Sequence, residues 1–97
     1  MLKVTVVDGT SETRVKVEGV LAGPSVVELE SVWKQIRDAR ENGKVLIDLS
    51  ETTAIDAGGK RILTVMACEG AELFAKGVYI EYVVKGLVQR AHDACQS

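Results

Sequence analysis

Excess charge of one sign, metal-ligand chemistry and long apolar runs are what this chain has least of, and each shortage removes a class of function. Twelve Lys and Arg stand against fourteen Asp and Glu, a formal net charge of -2. Nucleic acid and anionic membrane surfaces need clustered cations, so no nucleic-acid partner is expected. A single histidine, His92, with no HxxxH pattern and no acidic cluster, leaves no ligand set for a transition metal. No metal and no cofactor are expected. The chain has neither a leader-like segment nor an apolar run that could span a bilayer, which points to a cytoplasmic address without direct membrane insertion. Its two cysteines, Cys68 and Cys95, lack CxxC spacing and fall in helix-like segments, so both are expected as reduced thiols packed like small hydrophobes. A subtler absence lies in 53-TAIDAGGKRIL-63, where an Asp and a glycine pair lead into an apolar helix. No Ser, Thr or Cys stands at the turn itself.

What is present is apolar material in a regular pattern. Ninety-seven residues, 46% of them hydrophobic, fit one domain over residues 1–97 with one core. Residues 2-LKVTVV-7 and 13-TRVKVEGV-20 alternate as strands, with turn chemistry in 8-DGTSE-12 between them. The run 23-GPS-25 opens a helix whose Val26, Leu29, Val32, Trp33 and Ile36 recur at helical spacing up to a stop near 42-NG-43. A short aliphatic strand follows at 45-VLIDLS-50, then a loop through 50-SETTAIDAGG-59. Ile62, Leu63, Val65, Met66, Leu73 and Phe74 mark a second helix ending at Gly77, with Gly70 a weak point. The β-branched and aromatic run 78-VYIEYVV-84 reads as a strand, and 86-GLVQRAHDACQ-96 as a closing helix. The order is strand pair, helix, strand, helix, strand, helix: an α/β fold with a mixed, mostly parallel sheet of four to five strands and about three helices.

This order, together with the G-V-L at Gly19, Val20 and Leu21, the strand V-L-I-D-L-S and the I-D-x-x-G turn at Ile55, Asp56 and Gly59, resembles the STAS domain. That family comprises bacterial anti-sigma factor antagonists and modules of anion transporters, and the likeness covers nearly the whole chain. In members that switch sigma factors the turn reads D-S-x-G, and its Ser is phosphorylated by a kinase that is itself the anti-sigma factor. Asp56 and Gly59 fit; Ala57 holds the serine's place and has no oxygen to accept a phosphoryl group. Ala22 and Gly23 also replace the acidic residue that many members carry after G-x-L. The resemblance implies a non-catalytic protein-binding module in signalling and transcription regulation, not phospho-switched at position 57. Its partner would be an anti-sigma factor kinase or, alternatively, the ATPase of a lipid-transport ABC complex. It implies no particular oligomeric state.

The residues of the turn each offer distinct chemistry. Asp56 suits the cap of the second helix, accepting from Gly58 or Gly59, and can also face a partner. Gly58 and Gly59 serve either a tight helix entry or close approach by another backbone. Lys60 and Arg61 oppose the helix dipole in the first turn, which fits solvation, an acidic partner or an anion held on the amides of Ala57, Gly58 and Gly59. The expected partner surface is therefore Thr53, Asp56, Ala57, Gly58, Gly59, Lys60 and Arg61. A small anion- or nucleotide-sensing role stays open beside it, although G-G-K-R lacks the P-loop form. Thr52 and Thr53 offer alternative hydroxyls for phosphorylation. Asp48 is expected to bond the following hydroxyls; a catalytic pair with Asp56 would lack a His, Lys or nucleophile beside it. Trp33 is assigned to the core and His92 to the C-terminal dipole of the last helix.

Overall fold

The computed structural model describes residues 2–9, 12–39 and 44–95. They form β1 (Leu2–Asp8), β2 (Glu12–Leu21), α1 (Pro24–Ala39), β3 (Lys44–Ile55), α2 (Ala57–Cys68), β4 (Glu72–Phe74) and α3 (Val78–Cys95). The sheet order is β1-β2-β3-β4, with β1 antiparallel to β2 and both β3 and β4 parallel to their neighbours. The mixed, mostly parallel α/β sheet with three helices is the architecture expected from the sequence.

Period-two alternation sends Val15, Val17, Val45, Ile47 and Leu49 to one face of the sheet, where all five are fully buried. The helices supply the opposing layer: Leu29 and Trp33 from α1, Ile62, Leu63 and Met66 from α2, and Ile80, Val84 and Leu87 from α3 join the same cluster. Complete burial of one such aliphatic side chain contributes about 1.5–3 kcal/mol, so this layer outweighs every polar contact described below. The other face holds Thr5, Arg14, Lys16 and Asp48 in neighbouring registers, with Val7, Leu46 and Phe74 alongside them.

The element assignments need correcting in three places. β3 continues past Ser50 to Ile55, so 50-SETT-53 is strand rather than loop. It pairs with β2 across register shifts, and Thr52 is buried there with its hydroxyl donating to the Val17 carbonyl at 2.7 Å. α2 stops at Cys68 and does not reach Gly77. Gly70, at φ +103°, lets the Gly70 and Ala71 amides turn back to the carbonyls of Ala67 and Met66, a Schellman closure. Leu73 and Phe74 consequently belong to β4, a strand of three residues. The third correction is 78-VYIEYVV-84, which forms the first half of α3. Ile80, Val84, Leu87 and Ala91 recur at helical spacing and are buried against the other elements, and this packing overrides local strand preference. Gly77 immediately precedes α3, its amide donating to the Glu81 carboxylate at 3.1 Å. The stop assigned to 42-NG-43 and part of the 8-DGTSE-12 turn lie outside the described residues. Cys68 is disulfide-bonded, not a reduced thiol, and lies in the last turn of α2.

Candidate functional site

Parallel α/β sheets place their sites beyond the carboxyl ends of their strands. Here β2 and β3 end side by side at Leu21 and Ile55. Asp56 follows directly with extended backbone and joins four elements. Its amide donates to the Leu21 carbonyl at 3.1 Å, and its carbonyl accepts from the Lys60 amide at 2.9 Å. The carboxylate Oδ1 accepts from the Gly59 amide at 2.7 Å, capping α2, while Oδ2 accepts from the Gly23 amide at 3.1 Å, just ahead of α1. The amides of Gly59 and then Gly23 hold the Asp56 carboxyl below the usual carboxylate range, because both favour the charged form. The cap was legible in the sequence; the bond to Gly23 was not.

Gly59 is buried, and a Cβ there would lie 2.7 Å from the Leu21 carbonyl oxygen and 2.9 Å from Ile55 Cγ2. The helix enters against the end of β2 with no space for a side chain. At Gly58 a Cβ would meet nothing closer than 3.5 Å, so sterics there do not demand glycine. Ala57 is the first residue of α2 and is exposed.

The two cations diverge. Lys60 lines a cleft between α2 and α3 with Tyr82, Gly86 and Arg90, whereas Arg61 lines a groove between α1 and α2 with Val26, Trp33 and Glu69. Asp56 itself occupies the amide of Gly59, the position an anion at the helix N-terminus would take. Thr53 is exposed on β3, its hydroxyl donating to the Gly19 carbonyl at 3.2 Å. Thus Asp56, Ala57 and Gly58 share the turn, Lys60 and Arg61 flank it, and Thr53 sits three residues back along the strand.

Asp48 lies within β3 beside Lys16, on the face turned from the core, and accepts from the Ser50 amide at 2.9 Å. Burial pushes its carboxyl up, but the Ser50 bonds and the nearby Lys16 and Arg14 outweigh it, leaving a lowered pKa. Eight residues of mostly extended chain, roughly 25 Å, separate it from Asp56. The two carboxylates do not form an acid–base pair. His92 is exposed in the last turn of α3. Among the described residues no cluster of three or more His, Cys, Asp or Glu could hold a metal, and no helix is long and apolar enough to cross a membrane.

One contact had only a weak signal in the sequence. Trp33 is almost fully buried, as expected, and its indole N–H donates to Glu69 Oε1 at 2.7 Å, while Arg37 Nη1 donates to Glu69 Oε2 at 2.8 Å. The Trp33 bond, reinforced by Arg37 against the cost of burial, lowers the Glu69 pKa. A buried indole requires an acceptor, but spacing alone did not identify Glu69 at the far end of α2.

No family model matches the chain, and no curated protein does. Solved structures do. An anti-sigma factor antagonist from Mycobacterium paratuberculosis superposes with a TM-score of 0.77 at 18% identity, covering 100% of this chain and 96% of that one. The STAS domain of an anti-sigma factor antagonist from Rhodobacter sphaeroides gives a TM-score of 0.56 at 23% identity, covering 78% of this chain and 86% of that one. Part of a larger chain, Mglu, gives 0.59 at 14% identity, over 76% of this chain and 19% of that one. The fold is that of the STAS domain.

Proposed function

We propose that residues 1–97 form a single non-catalytic protein-binding domain that acts like an anti-sigma factor antagonist without a phosphorylation switch at its turn. The observation that supports it best is Ala57, exposed at the start of α2 directly after the Asp56 clamp. The turn has its shape, its cap and its access, and lacks a nucleophile. A Ser there would accept a phosphoryl group and introduce about -1.5 to -2 charge, whereas Ala57 leaves the surface permanently unmodified at that position. On this reading Asp56, Ala57 and Gly58 meet the partner, Lys60, Arg61 and Thr53 lie at the rim, and Gly59 shapes the helix entry. The partner is an anti-sigma factor kinase of a bacterial cytoplasm, sequestered constitutively.

The test is affinity capture of the tagged chain from its native cells, in parallel with Ala57→Asp, with retained proteins identified by mass spectrometry. Recovery of an ATP-binding anti-sigma kinase by the native chain, and its loss with Ala57→Asp, is the expected result. Recovery of a transporter ATPase with its membrane subunits would retire the sigma-factor reading in favour of an accessory transport subunit.

A further inference from the structure

α3 is apolar on two sides. Ile80, Val84, Leu87 and Ala91 face the core, and a second stripe at helical spacing, Tyr79, Tyr82, Val83 and Gly86, continues to Arg90. Tyr79 and Tyr82 on this second stripe are 54% and 79% exposed. Gly86 stands inside the helix, where glycine is less stable than alanine, yet a Cβ there would meet nothing within 4 Å. Packing within the chain does not require this glycine. Its effect is to leave a notch in the wall of the α2–α3 cleft, which has a volume of about 390 Å³.

Lys60, Lys85 and Arg90 surround that cleft, and among the described residues none of them has an ion pair. Neither acid of α3 lines the cleft: Glu81 accepts from the Gly77 amide, and Asp93 accepts from the side chain of Gln89, itself a lining residue. A chain with net charge -2 thus concentrates three uncompensated cations beside an exposed aromatic stripe. From Tyr79 to Arg90 the stripe extends about 16 Å along the helix, longer than a small anion can use.

We infer that the α2–α3 cleft docks an acidic, amphipathic segment of a protein partner. Apolar side chains of the segment lie over Tyr79, Tyr82 and the Gly86 notch, and its carboxylates meet Lys60, Lys85 and Arg90. Charge complementarity of this kind sets orientation and speeds encounter. The inference rests on the reading of the domain as a protein-binding module, and it adds a second contact surface, centred on α3, that shares only Lys60 with the rim of the Ala57 turn.

The experiment titrates the ¹⁵N-labelled chain with three probes: an amphipathic peptide of Glu, Ala and Leu, its counterpart with Lys in place of Glu, and inorganic phosphate. Expected are amide shifts at Lys60, Tyr82, Gly86 and Arg90 with the acidic peptide alone. Affinity should fall by about tenfold or more in Lys85→Glu/Arg90→Glu, whose exposed positions leave the fold intact, a factor worth about 1.4 kcal/mol. Gly86→Gln, which fills the notch with a better helix former, should also weaken binding. Equal binding of the Lys peptide, a response to phosphate alone, or no response to any probe would overturn the inference. Acidic-peptide binding without capture of a kinase would sink the proposed function and leave this surface standing; capture without peptide binding would do the reverse.

Discussion

The carboxylate of Asp56 accepts a hydrogen bond from the backbone amide of Gly23, thirty-three residues away in sequence, at 3.1 Å. With its other oxygen on Gly59, one side chain sets the entry of α2 and the approach to α1 together. The turn that would face a partner is therefore held by a tertiary bond as well as a local cap.

Acid should dissolve that clamp. The folded Asp56 carboxyl titrates below its unfolded value of about 3.9, so its stabilisation is complete above that pH and fades as pH falls through the folded pKa. Asp56→Ala should lower Tm by a few degrees at neutral pH, with the gap to the native chain closing in strong acid. Thermal unfolding followed across the carboxylate range checks this; a gap independent of pH would mean that the charge contributes nothing.

The adjacent glycines should respond in opposite directions. Gly59→Ala drives a methyl group into the Leu21 carbonyl and Ile55, and should cost about 1–3 kcal/mol as the helix entry shifts. Gly58→Ala meets only ordinary contacts and should be neutral or stabilising by up to about 1 kcal/mol. Urea unfolding of both variants separates close approach from mere flexibility.

Glu69→Ala leaves the buried Trp33 indole N–H without its acceptor and releases Arg37. A loss of about 1–3 kcal/mol is expected. Trp33 is the chain's only tryptophan, so its fluorescence should change in the native state of the same variant. Unaltered emission together with unaltered stability would show that water replaces the carboxylate.

At position 57, binding and stability should part. Ala57→Asp places an acid in the first turn of α2, which favours the helix by about 0.3–1 kcal/mol, yet it should weaken the partner by adding charge to the contact. Unchanged affinity would move the interface elsewhere. Ala57→Ser should gain a phosphoryl group when incubated with a cognate kinase, and an unmodified mass would show that the loop is no longer recognised as a substrate.

The pattern that placed the turn misled further along the chain. Residues 78-VYIEYVV-84 have the β-branched and aromatic composition of a strand, and nothing within that window identifies the side that will be buried. Its helical spacing becomes visible only when Ile80 and Val84 are joined to Leu87 and Ala91, beyond the assumed boundary. Composition understates the length of β3 for a related reason. The polar run 50-SETT-53 looks like a loop, but Thr52 satisfies its hydroxyl on Val17 of the neighbouring strand, so burial costs little.

By itself the sequence determined the α/β class, the alternating face of β2, the capping role of Asp56 and the absence of a hydroxyl at Ala57. These depend on residue identity and on spacings of a few residues, which local geometry converts directly into structure. Only the tertiary structure decided that Asp56 also holds Gly23, that Gly59 must be bare beneath Leu21, and that Lys60 and Arg61 part to opposite sides of α2. Each of these follows from β2 and β3 ending side by side, with α1 and α3 packed on either side of α2. That arrangement is fixed by burial of the shared core, a sum over segments far apart in the chain that no local spacing encodes.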